Sequence, residues 1–170
     1  VRALREGRAD VGVFVAGPST QGLQVAPFRQ DELVLVMPRG HPLSTERHAI
    51  DFSACLGEDW ISLTSGAAML QTQQQAALAS QRPLRLRMQV RSFDAVCHLV
   101  AAGLGVALLP KGALKHYGKS LPLRSRPLTD AWARRQLLVA VASQDEAALN
   151  LMRFLVKPSR NAKADLSKQQ

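Results

Sequence analysis

Cys97 and His98 stand side by side in this chain, and a thiol next to an imidazole is what a nucleophile and its base would need. Neighbours on a helix point about 100° apart and do not face each other. The pair therefore reads as a buried thiol beside a surface or packed histidine. His41, His48, His98 and His116 show no metal-ligand spacing with acids or cysteines. Acid pairs occur at Asp31–Glu32, Glu58–Asp59 and Asp145–Glu146, each at an expected loop or helix start, where carboxylates act as caps and solubilisers. The chain has no GxSxG elbow, P-loop lysine signature or HExxH. Neither catalysis nor a cofactor nor a metal is expected.

Gly103 and Gly105 in "VAAGLGVALLP" raise a phosphate loop as a possibility. Such a loop needs strand, glycines and then a helix with its amides on the anion. Here the order is reversed. "FDAVCHLV" has the apolar spacing of a helix face, and "VALLP" is a short apolar run closed by proline. Gly103 is expected as a left-handed helix cap and Gly105 as a tight entry to the strand.

A binding module needs only a cleft, free amides and a few hydroxyls. "WISL" runs as a short strand into Thr64, Ser65 and Gly66, followed by a helix rich in Ala, Leu, Met and Gln. "RSFD" supplies Ser92 and Phe93 at a second helix start, and "AGPS" a turn after the strand "VGVFV". In an open α/β sheet, ligands sit outside the carboxyl ends of strands, and all three loops meet that description. The competing reading makes Ser65 and Ser92 plain N-caps and packs Phe93 in the core.

These loops need a scaffold. Strands are expected at "ADVGVFVA" (buried on both faces), "LQVAPF", "DELVLVMP", "WISL", "LRLRMQV", "VALLP" and "RRQLLVAVAS". Helices alternate with them and end in an amphipathic "DEAALNLMRFLV". The pattern is that of an α/β fold with mostly parallel sheets. The 170 residues, 46% hydrophobic, suffice for one domain or two small lobes. No window reaches the roughly 18 apolar residues of a membrane span. Two cysteines without a CxxC pattern fit a reducing, cytoplasmic compartment.

The net charge of +9 is uneven: residues 65–133 hold nine Lys/Arg against two Asp/Glu, residues 1–64 six against eight. The basic stretch lacks the interleaved aromatic residues of a single-strand binder, so direct nucleic-acid binding is not expected. The last residues, 157–170, have few apolar side chains and are expected to form a disordered basic tail.

Taken in order, "GRADVGVFV", "PFRQDELVLVMPRGHPL", "WISLTSGAAM", "VRSFDAVCHLVAAGLGVALLP" and "WARRQLLVAVAS" resemble the effector-binding domain of LysR-type transcriptional regulators, over Val1 to about Val156. The resemblance implies a two-lobed α/β fold like type 2 periplasmic binding proteins, with a small-molecule effector between lobes joined by two crossover strands. It implies a first lobe of 1–64 and 135–156 and a second of 65–134. Effector contacts carry over to Gly17, Thr64, Ser65, Gly66, Ser92 and Phe93. The expected effector is a small carboxylate or aromatic acid, which suits helix N-termini. The expected assembly is a homodimer or tetramer that reaches DNA only through an N-terminal winged helix-turn-helix. That domain, and the first strands of the first lobe, are expected to lie outside this chain. A solute-binding protein for transport is the alternative on the same fold.

Overall fold

The computed structural model describes residues 1–17, 20–46, 48–64, 67–142 and 145–156. The expected tail at 157–170 lies outside them. The chain forms an α/β fold of two compact units, Val1–Gln30 with the chain from Gln136 onward, and Asp31–Arg135.

In the first unit a short helix α1 (Arg2–Arg5) is followed by Gly7, which takes the left-handed φ of 65°. Strand β1 (Val11–Val15) follows, and β2 (Gln24–Pro38) begins in this unit. Strand β7 (Arg134–Val141) returns to it, and helix α5 (Glu146–Val156) closes the described chain. β1 pairs antiparallel with β7, from Val11 opposite Val141 to Val15 opposite Leu137. It was expected as a strand buried on both faces, yet it is half-buried with Val13 48% exposed. The reason is its place: β1 ends the strand order β1-β7-β2-β5, with one neighbour among the described strands.

The second unit begins within β2. Leu33–Val36 pair antiparallel with β5 (Ala107–Pro110), and Val34–Pro38 with β6 (Leu123–Pro127) on the other edge. Strand β3 (Trp60–Leu63) pairs in parallel with β4 (Leu86–Val90), and Trp60 forms a parallel bridge to Val106. Among the described strands, the parallel ladder is β3 with β4, where helices α2 (Ala67–Ala79) and α3 (Phe93–Ala101) connect successive strands. The crossover strands pair antiparallel, which corrects the expectation of mostly parallel sheets.

Two further expectations change. "LQVAPF" and "DELVLVMP" are one 15-residue strand, because Arg29 and Gln30 stay extended as the chain passes between units. The first division accordingly falls at Gln30/Asp31 and not at 64/65, while the second falls at Arg135/Gln136. Residues 31–64 join the second unit because their apolar side chains, from Leu33 to Leu63, share a core with Val96, Val100 and Val106–Leu109.

That core holds Trp60, fully buried, with Phe52 at a ring separation of 5.2 Å, and Phe52 in turn edge-on to Trp132 at 5.3 Å. Phe52 lies in a 3₁₀ turn, Phe52–Cys55, capped by the Asp51 carboxylate, which accepts from Ser53 N–H at 2.8 Å. Hydrogen bonds from Ser53 hold that carboxyl below its usual range. Arg126, 5% exposed, donates from Nε to His48 O (2.9 Å), from one terminal nitrogen to Leu43 O (3.1 Å), and from the other to Glu46 Oε2 (3.2 Å). A buried charge requires such partners.

The Gly-x-Gly behaves as a corner. α3 ends at Ala101 with Ala102 as its C-cap, Gly103 takes φ 77°, and β5 follows. Gly105, at φ 154°, passes so close to β3's entry that an added Cβ would lie 2.4 Å from Asp59 O. Only glycine fits there.

Candidate effector site at the ends of two parallel strands

Parallel strands put their carboxyl ends on the same side. β3 and β4 pair with Leu63 opposite Val90, so Thr64 and the Arg91–Ser92 turn emerge together. Thr64 N–H donates to Val90 O at 2.8 Å, and its Oγ1 reaches the same carbonyl at 3.3 Å. The Thr64 residue is exposed, and spending its proton on Val90 leaves the oxygen as an acceptor.

Ser92 is the N-cap of α3. Its extended backbone (φ −138°, ψ 150°) lets Oγ accept from Ala95 N–H at 3.1 Å. Ser92 is exposed, as are Arg91 before it and Asp94 in the first turn. Phe93 is half-buried and stacks on Tyr117, ring centroids 6.3 Å apart and planes at 29°. Tyr117 ends helix α4 (Lys111–Tyr117) and is 40% exposed. Exposed Thr64, Arg91 and Ser92 thus follow the paired ends of β3 and β4 at the start of a nine-residue helix, with Phe93 packed against the core and stacked on Tyr117. That arrangement suits an acid bearing a flat or apolar body: cation and helix N-terminus for the charge, hydroxyls for orientation, rings for the body.

The second unit therefore brings Thr64, Ser92 and Phe93 to the ends of two paired strands. Ser92 is an N-cap as the competing reading held, and its exposure leaves it open to a ligand as well. Ser65 and Gly66 lie outside the described residues. Gly17 belongs to the first unit, where it follows β1 with φ 145° and open space at its Cβ position. Arg91 and Tyr117 are additions that sequence reading missed. Arg91 was hidden in an alternating basic run, and Tyr117 is brought to Phe93 only by the packing of α4 on α3.

Other chemistries find little here. Cys55 is fully buried, and burial pushes its thiol up to about 12. Burial raises Cys97 too, with the Asp94 charge adding to it. His98 is exposed and turns to Asp94, donating from Nδ1 to its carbonyl at 3.0 Å, and does not activate Cys97. The acid pairs are occupied in hydrogen bonds, ion pairs and caps: Glu58 is hydrogen-bonded to His41 (3.2 Å), Asp59 is paired with Arg85 (2.9 Å) and Arg87 (3.2 Å), and Asp145 accepts from Ala148 N–H (3.0 Å). Among the described residues no three His, Cys, Asp or Glu side chains gather as a metal site, and no helix is long and apolar enough to cross a membrane.

A family model described as the LysR substrate binding domain matches residues 1–157. A probable RuBisCO transcriptional regulator of Trichormus variabilis is 24% identical over 141 residues, 79% of this chain and 42% of that protein. A probable hydrogen peroxide-inducible genes activator of Mycobacterium leprae is 30% identical over 123 residues, 65% of this chain and 36% of that protein. The chain thus spans about two fifths of the length of these relatives. Among solved structures, the Synechocystis CcmR regulatory domain in complex with 2-PG superposes with a TM-score of 0.80 at 21% identity, covering 94% of this chain and 78% of that one. The effector binding domain of QuiR in complex with shikimate gives 0.73 at 17% identity, covering 92% and 74%. At such identities these likenesses establish the fold, that of regulatory domains resembling periplasmic binding proteins.

Proposed function

Because the chain belongs to the LysR substrate-binding domain family, we propose that it senses a small organic acid on behalf of a transcription regulator. The observation that supports this reading is the bonding of Thr64 to Val90 O, two residues before the α3 cap, so that exposed Thr64, Arg91 and Ser92 all follow the carboxyl ends of β3 and β4. Thr64, Ser92 and Phe93 are its proposed contacts in the second unit, with Ser65, Gly66 and Gly17 carried over from the family pattern. The effector is a small carboxylate or aromatic acid. The regulator works in the cytoplasm as a homodimer or tetramer, and touches DNA through a segment outside this chain. It is not an enzyme. A transport role on the same fold has no observation in its favour, since the relatives above are regulators.

The test is a thermal melt with a panel of aliphatic and aromatic acids, shikimate and 2-PG included. A ligand that binds only the folded form stabilises it by about 2.7 kcal/mol at a hundred times its Kd. At least one acid is expected to raise Tm, and Thr64→Val and Arg91→Met are expected to reduce that rise. If no acid shifts Tm, or if the shift survives both substitutions, the placement is wrong.

A further inference from the structure

Within the second unit, the 3₁₀ turn Pro42–Ser44 packs beside β6. A cavity of about 460 Å³ opens there. Arg124, Ser125 and Arg126 line it from β6, and Ser44, Thr45 and Glu46 from the turn and the residues after it. It shares no residue with the surface at Thr64, Arg91 and Ser92.

The two arginines stand two apart on one strand and so rise from the same face. They are held very differently. Arg126 is buried and donates to His48 O, Leu43 O and Glu46 Oε2, three of the five bonds a guanidinium can make. Arg124 is exposed, and among the described residues it has neither a hydrogen bond nor an ion pair. Against these two cations the lining sets one carboxylate, Glu46, 3.2 Å from Arg126 on a side chain that is 68% exposed. The cavity therefore holds one more positive charge than its own acid neutralises. Ser44 and Thr45 already donate their hydroxyl protons to Arg39 O (2.7 Å) and Pro42 O (3.0 Å), which leaves Ser125 as the neutral donor. Leu123 is the one apolar residue of the lining, so the walls offer little to an aromatic or aliphatic body.

A buried guanidinium has given up its water, whereas an exposed carboxylate keeps most of its own, so their attraction is weak for the charge it must balance. Glu46 occupies the place an incoming oxyanion would take, and its exposure lets it turn out to solvent. We propose that this cavity binds a doubly charged tetrahedral oxyanion, a phosphate either free or as a small phosphomonoester, between Arg124 and Arg126, with Glu46 as the built-in stand-in that it displaces. Guanidinium forks match the paired oxygens of such an ion. A singly charged acid would only replace the charge of Glu46, while a dianion also takes up that of Arg124.

Calorimetric titration of the 170-residue chain with inorganic phosphate, against chloride at equal ionic strength, tests this. Saturable binding is expected. Arg124→Gln should weaken it by about tenfold or more, through lost charge-assisted hydrogen bonds. Glu46→Gln should tighten it by up to about fivefold, since the competing carboxylate is gone. Both positions are exposed, so Tm in chloride should hold in each variant. Arg91→Met should leave the affinity unchanged, which separates this cavity from the proposed effector contacts. Equal binding of glycerol phosphate would assign the cavity to phosphomonoesters, and binding of inorganic phosphate alone to the free ion. No saturable phosphate binding, an unchanged affinity in Arg124→Gln, or weaker binding in Glu46→Gln would overturn the proposal. So would loss of binding in Arg91→Met, which would put the ion at the ends of β3 and β4.

Discussion

The two units bury their apolar residues very differently. In the second, an unbroken core runs from Leu33 to Ala133 through Trp60, Ile61, Val96 and Leu109, all but closed to solvent. In the first, burial among the described residues is limited to Leu4, Val139–Val141 and Ala148, while Val13, Leu151 and Phe154 stand 48%, 48% and 72% exposed. β1 has one neighbour among the described strands, and α5 turns part of an apolar stripe outward. An open edge and an apolar face together are features that soluble proteins normally cover. The contrast teaches that the second unit carries the rigidity, and it is there that Thr64, Ser92 and Phe93 sit. The proposed effector contacts are thus built on the better-buried unit, where packing holds side chains in place.

The strongest way to probe this contrast is Trp60→Ala. Removing a fully buried indole that packs on Phe52 is expected to cost about 3–5 kcal/mol in urea unfolding; a loss under 1 would mean the core is not where the stability lies. Next comes the alkaline limb. A thiol titrates near 9 when unfolded, and burial raises Cys55 to about 12 in the folded protein. The unfolded state therefore loses its proton first, and stability should be intact below pH 9 and fall as pH rises toward 12. Cys55→Ala should flatten that slope in a pH series of melts, and thiol reagents should leave both native cysteines unmodified at pH 7.

Smaller in energy is Ser92→Ala, which removes the α3 cap and should cost about 1 kcal/mol. The informative reading is the acid-induced rise in Tm, which should shrink beyond what the lost cap explains. Smallest is Phe154→Glu on the exposed face of α5. Its effect on stability should stay within about 0.5 kcal/mol, while the onset of light scattering on concentration moves upward. A large destabilisation would mean that the first unit is better packed than its exposures indicate.

Much of the scaffold was legible because local rules agreed with the fold. Ser92 before an apolar helix face, Gly103 after it and Pro110 at the end of β5 are punctuation that needs no tertiary context. The division between units was not legible, because Arg29–Gln30 in "PFRQDE" looks like a break in hydrophobic pattern, whereas both residues lie inside the single strand β2. Nor was the orientation of pairing: an apolar run such as "VGVFV" suits a parallel strand buried on both faces, and only its position at the end of the sheet exposes it. Of the site, Thr64 and Ser92 were recognisable as hydroxyls at strand-to-helix turns. Tyr117 was not, since its approach to Phe93 depends on a separate helix, α4, that comes only after α3 and β5.

Arg126 gives the fold an asymmetric tolerance to change. Two of its three partners are the main-chain oxygens of Leu43 and His48, which every amino acid supplies alike. The third, the Glu46 carboxylate, belongs to a side chain that is 68% exposed, where an ion pair contributes little. The segment around those carbonyls is therefore free to drift in sequence, provided its path stays the same. Arg126 has no such freedom. A lysine there would offer a single nitrogen in place of the guanidinium fork, and one substitution on β6 would release what several on the loop would leave in place.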